Sequence, residues 1–187
     1  MTAGEQLPGQ ATRKGRLTLS MWMEVEESRK QIHERIDQRF NDFILNTACG
    51  DLTEYLEEGV CAKPLLSPAS MFKGTRPTAV ILPRQGKVEA ATWQNVVLAI
   101  LLDCDSDPAR HQRLMTLRNR VAGNFRWLLS DKPKNLRTPL KINEGLYFEG
   151  KFDTEALLRN LTKKLLEPVG YDYSGIAILL RTHKAVL

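Results

Sequence analysis

The stretch that most constrains the fold runs from Pro139 to Arg181 and reads as strand, helix, strand. Leu140-Lys141-Ile142 and Leu146-Tyr147-Phe148 open it, and Ile176-Ala177-Ile178-Leu179-Leu180 closes it. Between them Leu157, Leu158, Leu161, Leu165 and Leu166 recur at helical spacing, while Arg159, Asn160, Lys163 and Lys164 take the other face. Asp153 is placed to cap the first turn, and Phe152 and Leu157 have the spacing of a hydrophobic staple. Pro168 and Gly170 supply the stop. The closing run is apolar on both faces, the pattern of an interior strand. A one-sided helix and such a strand can hide their apolar faces only against each other or against further layers.

Upstream, a helix is predicted from Val25 to about Thr47, with Ile32, Ile36, Phe40, Phe43 and Ile44 as its apolar stripe and Gly50 ending it. A short acidic helix from Leu52 to Glu58 follows. Residues 59–78 hold three prolines and two glycines and read as a loop or a join between subdomains. Thr78–Leu82 and Lys87–Ala90 flank Pro83-Arg84-Gln85-Gly86, which is hairpin chemistry. Thr92 caps a helix whose inward stripe is Trp93, Val96, Val97, Ile100, Leu101 and Cys104. Asp107 caps another, with Pro108 at its first position and Leu114, Leu117 and Val121 as its seam. Gly123 ends or bends that helix, and residues 130–139 form a basic loop. The expected class is α+β, with a mainly helical N-terminal part followed by a small mixed sheet flanked by helices. Residues 1–17 are expected to be a mobile basic tail, 18–76 a helical acidic region and 77–187 the α+β core region. Trp93, Ile100, Leu161 and Ile178 are expected in one shared core.

At 187 residues and 42% hydrophobic content the chain is long enough for a substantial core. No apolar run approaches the roughly 20 residues that span a bilayer, and no secretory layout opens the chain, so a cytoplasmic protein is expected. Cys49, Cys61 and Cys104 are odd in number and widely spaced. His33, His111 and His183 lack ligand spacing. Neither a disulfide framework, a metal nor another cofactor is expected.

Net charge is +5, unevenly placed. From 110 to 137 there are eight bases, Arg110, Arg113, Arg118, Arg120, Arg126, Lys132, Lys134 and Arg137, against the single acid Asp131. From Glu24 to Glu58 ten acids face four bases, a net −6. Dense positive charge neutralises phosphates and releases counterions, so the eight bases are the expected nucleic-acid-binding residues, with Phe125 or Trp127 near enough to stack on a base. The competing expectation is that these arginines pair with the acidic N-terminal helices, within the fold or across a dimer. Those acidic helices also offer a surface to a protein partner.

Two short motifs point elsewhere. Asp103-Cys104-Asp105-Ser106-Asp107 fails as a calcium loop, because Pro108 stands at the sixth position and Leu114 at the twelfth. As the aspartate nucleophile of haloacid-dehalogenase enzymes it needs a preceding strand, and the preceding periodicity is helical. Its expected role is capping. Glu149-Gly150-Lys151 matches half of the restriction-nuclease motif, in which the acid holds Mg²⁺ and the lysine steadies charge. Glu89 and Asp131 are the loose candidates for the second acid, and a plain strand-to-helix turn is the competing reading. The loop Gly170-Tyr171-Asp172-Tyr173-Ser174-Gly175 reads either as an exposed aromatic loop or as a connection whose tyrosines cover the core edge.

Pro77 to Leu102 (proline, hairpin, Thr92-Trp93 and a buried helix) and Pro139 to Leu180, with Gly145-Leu146-Tyr147-Phe148-Glu149, resemble modules of bacterial phage, integrative-element and restriction- or defence-associated proteins. The resemblance implies a setting of mobile DNA and its conflict with a host, and it assigns no residue a role. The expected function is a non-catalytic binding protein acting on DNA or on a nucleoprotein, either a regulator or an anti-CRISPR-like inhibitor. The alternative is a metal-dependent nuclease using Glu149 and Lys151.

Overall fold

The computed structural model describes residues 19–120 and 127–182, so the predicted tail over 1–17, Val121, Gly123, Phe125, Arg126 and His183 lie outside the described residues. Two units are distinguished, Met1–Gln38 and Arg39–Leu187. The described part of the first belongs to helix α1, Leu19–Ile44. This helix starts six residues before the predicted Val25 and ends in a π turn, Leu45–Cys49, closed by Gly50 at φ 72°. The predicted acidic helix shrinks to a 3₁₀ turn at Thr53–Tyr55.

In the second unit the expected α+β class is present, with its strands in two antiparallel sheets rather than one mixed sheet. The larger sheet has the order β1 (Val60–Pro64), β7 (Ala177–Arg181), β2 (Pro77–Leu82), β3 (Gly86–Glu89). The smaller has β4 (Leu129–Ser130), β6 (Leu146–Glu149) and β5 (Pro139–Asn143), with β6 central. Strand β1 corrects the reading of 59–78 as a loop. Lys63 hides there among short apolar neighbours, so the stretch carries no period-2 signal, yet it pairs along β7 from Val60↔Arg181 to Pro64↔Ala177.

The all-apolar closing run is interior, as predicted, because both faces of β7 are covered. Ile178 and Leu180 join Val80 and Leu82 in the main core, while Ala177 and Leu179 join Leu52, Ala79 and Ile81 in a small second cluster. Against the main core pack α2 (Trp93–Asp105), α3 (Pro108–Leu117) and α4 (Thr154–Leu161), the last continued by a π turn at Thr162–Leu166 and a final turn at Glu167–Val169. The side chains of Thr92, Asp107 and Asp153 accept from first-turn amides at their three helices, as read from the sequence. Thr162 turns its hydroxyl back to the Leu158 carbonyl at 3.0 Å, a contact that loosens helices. The π turn that follows still leaves Leu161, Leu165 and Leu166 all fully buried.

Ile100, Leu161 and Ile178 lie in one cluster, with Trp93 packed on it. Phe72 stands edge-on to Trp93 with ring centroids 5.5 Å apart, and the Trp93 indole donates to the Thr75 carbonyl at 3.1 Å. The proline-rich stretch therefore contributes to the core. The predicted stripe of α1 behaves differently: Ile32, Ile36, Phe40 and Phe43 are each half or more exposed.

Candidate nucleic-acid interface

Of the eight predicted bases, Arg126 lies outside the described residues, and three of the others have internal partners. The Arg110 side chain, only 16% exposed, stacks its guanidinium 4.9 Å over the Tyr171 ring and has Asp107 3.8 Å from its Nε. Arg113 donates to the Val169 carbonyl at 2.8 Å, which satisfies the C-terminal end of the α4 helix. Arg118 donates to the Gly145 carbonyl at 2.9 Å, in the turn between β5 and β6. Arg110, Arg113 and Arg118 are thus engaged by carbonyls, an aromatic face and Asp107.

Arg120, Lys132, Lys134 and Arg137 are exposed, and no acid lies within ion-pairing distance of them among the described residues. Tertiary hydrogen bonds hold together the segments that carry them. Asn119 sits in the left-handed region at φ 56°, which its short polar side chain tolerates. It donates its amide to the Leu129 carbonyl and its side-chain NH₂ to Asp131, and accepts from the Asp131 amide. That stitches Arg120 beside the start of the 130–138 loop. Ser130, fully buried, accepts from the Lys132 amide at 3.2 Å and the Asn135 side chain at 3.0 Å, and so shapes the short 3₁₀ turn Pro133–Asn135.

Glu149 closes the far end. Its side chain is 1% exposed, and its carboxylate accepts the amides of Arg137 at 2.6 Å, Thr138 at 3.0 Å and Lys151 at 2.8 Å. The backbone donors neutralise its burial. Both oxygens of the half-motif acid are therefore taken up by bracing the loop. Among the described residues no group of three or more His, Cys, Asp or Glu side chains is arranged to hold a metal. Glu149 instead brings the exposed Lys151 next to Arg137, adding a fifth cation that charge counting over 110–137 missed.

Five cations on three joined segments thus face one acid. The side-chain hydrogen bond from Asn119, helped by Lys132 and Arg118, holds the Asp131 carboxyl below its usual range, so it stays ionised near neutral pH. Trp127, 40% exposed, stands two residues before β4. The arrangement offers a braced backbone with exposed cationic side chains, and an exposed indole shortly before β4.

The other motif resolves into structure. Asp107 caps α3 as expected, whereas Asp103 is 2% exposed and accepts from the Tyr171 hydroxyl at 2.5 Å and from Gln85 at 2.9 Å. Its place three residues after Ile100 on the inward stripe was the available signal. Asp105 meets His111 at 2.9 Å and the Asn143 side chain at 2.7 Å. Tyr171 is buried and Tyr173 half-buried, which favours the core-edge reading of that loop.

No helix among the described residues is long and apolar enough to cross a membrane. Compared with known protein families, curated proteins and solved structures, the chain matches none.

Proposed function

We propose that this chain is a non-catalytic, cytoplasmic nucleic-acid-binding protein that grips phosphates with Arg120, Lys132, Lys134, Arg137 and Lys151. One observation carries the reading. These five side chains are exposed and, among the described residues, none is within ion-pairing distance of an acid, while the loop beneath them is fastened by Ser130, Asn119 and Glu149. A chain that merely needed solubility has no use for a buried carboxylate bracing a cationic loop, whereas phosphate contacts gain from preorganised cations. The resemblance of 77–102 and 139–180 to phage and mobile-element modules supports DNA, or a nucleoprotein that contains it, as the target. A regulator of that kind binds bare duplex, whereas an inhibitor of a defence complex needs the loaded host assembly.

The test is the salt dependence of duplex binding. Each phosphate contact contributes roughly 0.9 to the slope of log affinity against log salt. Replacing Arg120, Lys132, Lys134 and Arg137 together by Ala is expected to flatten that slope by about 3 to 4 while the melting temperature stays put. Binding that is indifferent to salt, or a slope unchanged in the quadruple variant, overturns the proposal.

A further inference from the structure

Eight of the twelve large apolar side chains exposed among the described residues stand on α1. Trp22, Val25, Ile32, Ile36, Phe40 and Phe43 are each 50% or more exposed and fall within an arc of roughly 100° at 3.6 residues per turn. Trp22, Val25, Arg29, Ile32, Ile36, Arg39 and Phe43 follow one another in alternating steps of three and four, the repeat of a two-helix seam.

We infer that α1 pairs with α1 of a second copy of this chain, antiparallel. Like charge selects the direction. In a parallel pair Arg29 and Arg39 would each face their own copies, which is repulsive. In the antiparallel register, Arg39 meets Trp22 of the other copy, Val25 meets Ile36, and Arg29 meets Ile32. Arg39 over an indole face is a favourable contact, and Arg29, with its charge already met by Glu26 at 3.6 Å on its own helix, covers the seam with its aliphatic stem.

The area is sufficient. At the observed exposures the six apolar side chains offer roughly 600–700 Å² per copy, or about 1,200–1,400 Å² over both, within the range of specific interfaces. A membrane surface fits poorly, because helices that lie on anionic lipid carry basic polar faces, whereas the polar face here is net acidic, with Glu24, Glu27, Glu34 and Asp37 against Lys30 and Arg35. The same acids disfavour nucleic acid. The pairing does not rest on the phosphate-binding reading, since none of its residues belongs to the basic loop.

The experiment is sedimentation equilibrium of the full chain from about 1 to 100 µM, where mass action makes a dimer visible. A dimer is expected. The double variant Ile32→Glu, Ile36→Glu is expected to be monomeric across that range, with a folded body by circular dichroism. Arg29→Leu, which replaces the seam charge by a residue that packs, is expected to tighten the dimer about tenfold, an effect that loss of helix cannot mimic. A wild-type monomer at the highest concentration, a dimer that survives the double variant, or a dimer unmoved or weakened by Arg29→Leu each overturns the inference, including the case in which a different protein covers the stripe.

Discussion

Glu149→Gln separates the bracing role from the nuclease role of the same residue. The carboxylate accepts three amides, and each hydrogen bond to a charged acceptor is about twice as strong as its neutral counterpart. Glutamine keeps one oxygen, which can still serve the Thr138 and Lys151 amides. Its NH₂ then faces the Arg137 amide, donor against donor, where the glutamate oxygen lies at 2.6 Å. An amide left without an acceptor costs about 1–3 kcal/mol, and weakening the other two bonds adds about 1 kcal/mol. The sum is about 2–4 kcal/mol, which for a unit the size of Arg39–Leu187 lowers Tm by about 5–15 °C. Thermal melting followed by circular dichroism measures this directly. Salt-dependent duplex binding should weaken as well, because the Arg137 and Lys151 segments lose their common anchor. A variant that melts within about 1 °C of the parent refutes the bracing argument. Loss of a Mg²⁺-dependent cleavage with Tm unchanged would favour the nuclease instead.

Two further outcomes follow from the core. Leu161→Ala removes a fully buried side chain from the main cluster and is expected to cost about 2–5 kcal/mol in urea titrations, within one cooperative transition that also carries Ile100→Ala. A second transition left at its original midpoint would mean that the C-terminal unit folds apart from the rest. Two buried protons contribute to alkaline stability: burial pushes the Cys104 thiol up to about 12, and burial together with the Asp103 carboxylate raises the Tyr171 hydroxyl. Both groups hold their protons more tightly folded than unfolded, so their stabilisation is complete below about pH 9 and is lost as pH climbs towards 12. Tyr171→Phe is expected to start lower, because Asp103 loses a partner, and to fall less steeply above about pH 10. Equal slopes for the variant and the parent refute that assignment.

The elements that were legible from residues alone are those whose signal is local. Thr92, Asp107 and Asp153 cap helices because an oxygen two or three residues ahead of free amides needs nothing from the rest of the chain. The stripes of α2 and α4 and the all-apolar run of β7 were legible because period and burial coincide there. Strand β1 was not, because five residues with a lysine and a terminal proline are a strand only where β7 offers its edge. The stripe of α1 is legible as a pattern, but a pattern does not say which surface it meets: Ile32, Ile36, Phe40 and Phe43 stay half or more exposed, and Ile44 is half-buried.

The same division runs through the candidate site. Composition alone determined that 110–137 carries an excess of +7 and that its bases must go somewhere. Only tertiary structure decided which of them remain available. Arg118 gives a donor to the Gly145 carbonyl and Arg113, though exposed, to the Val169 carbonyl, each more than 25 residues away in sequence, and Arg110 is held by a tyrosine on the far side of α4 in chain order. Lys151, outside the counted window, is delivered by Glu149. Charge is a sum over residues and can be read in one dimension. A buried carbonyl or carboxylate in search of a partner can be satisfied only by what folding places within about 3 Å of it, and that is a property of three dimensions.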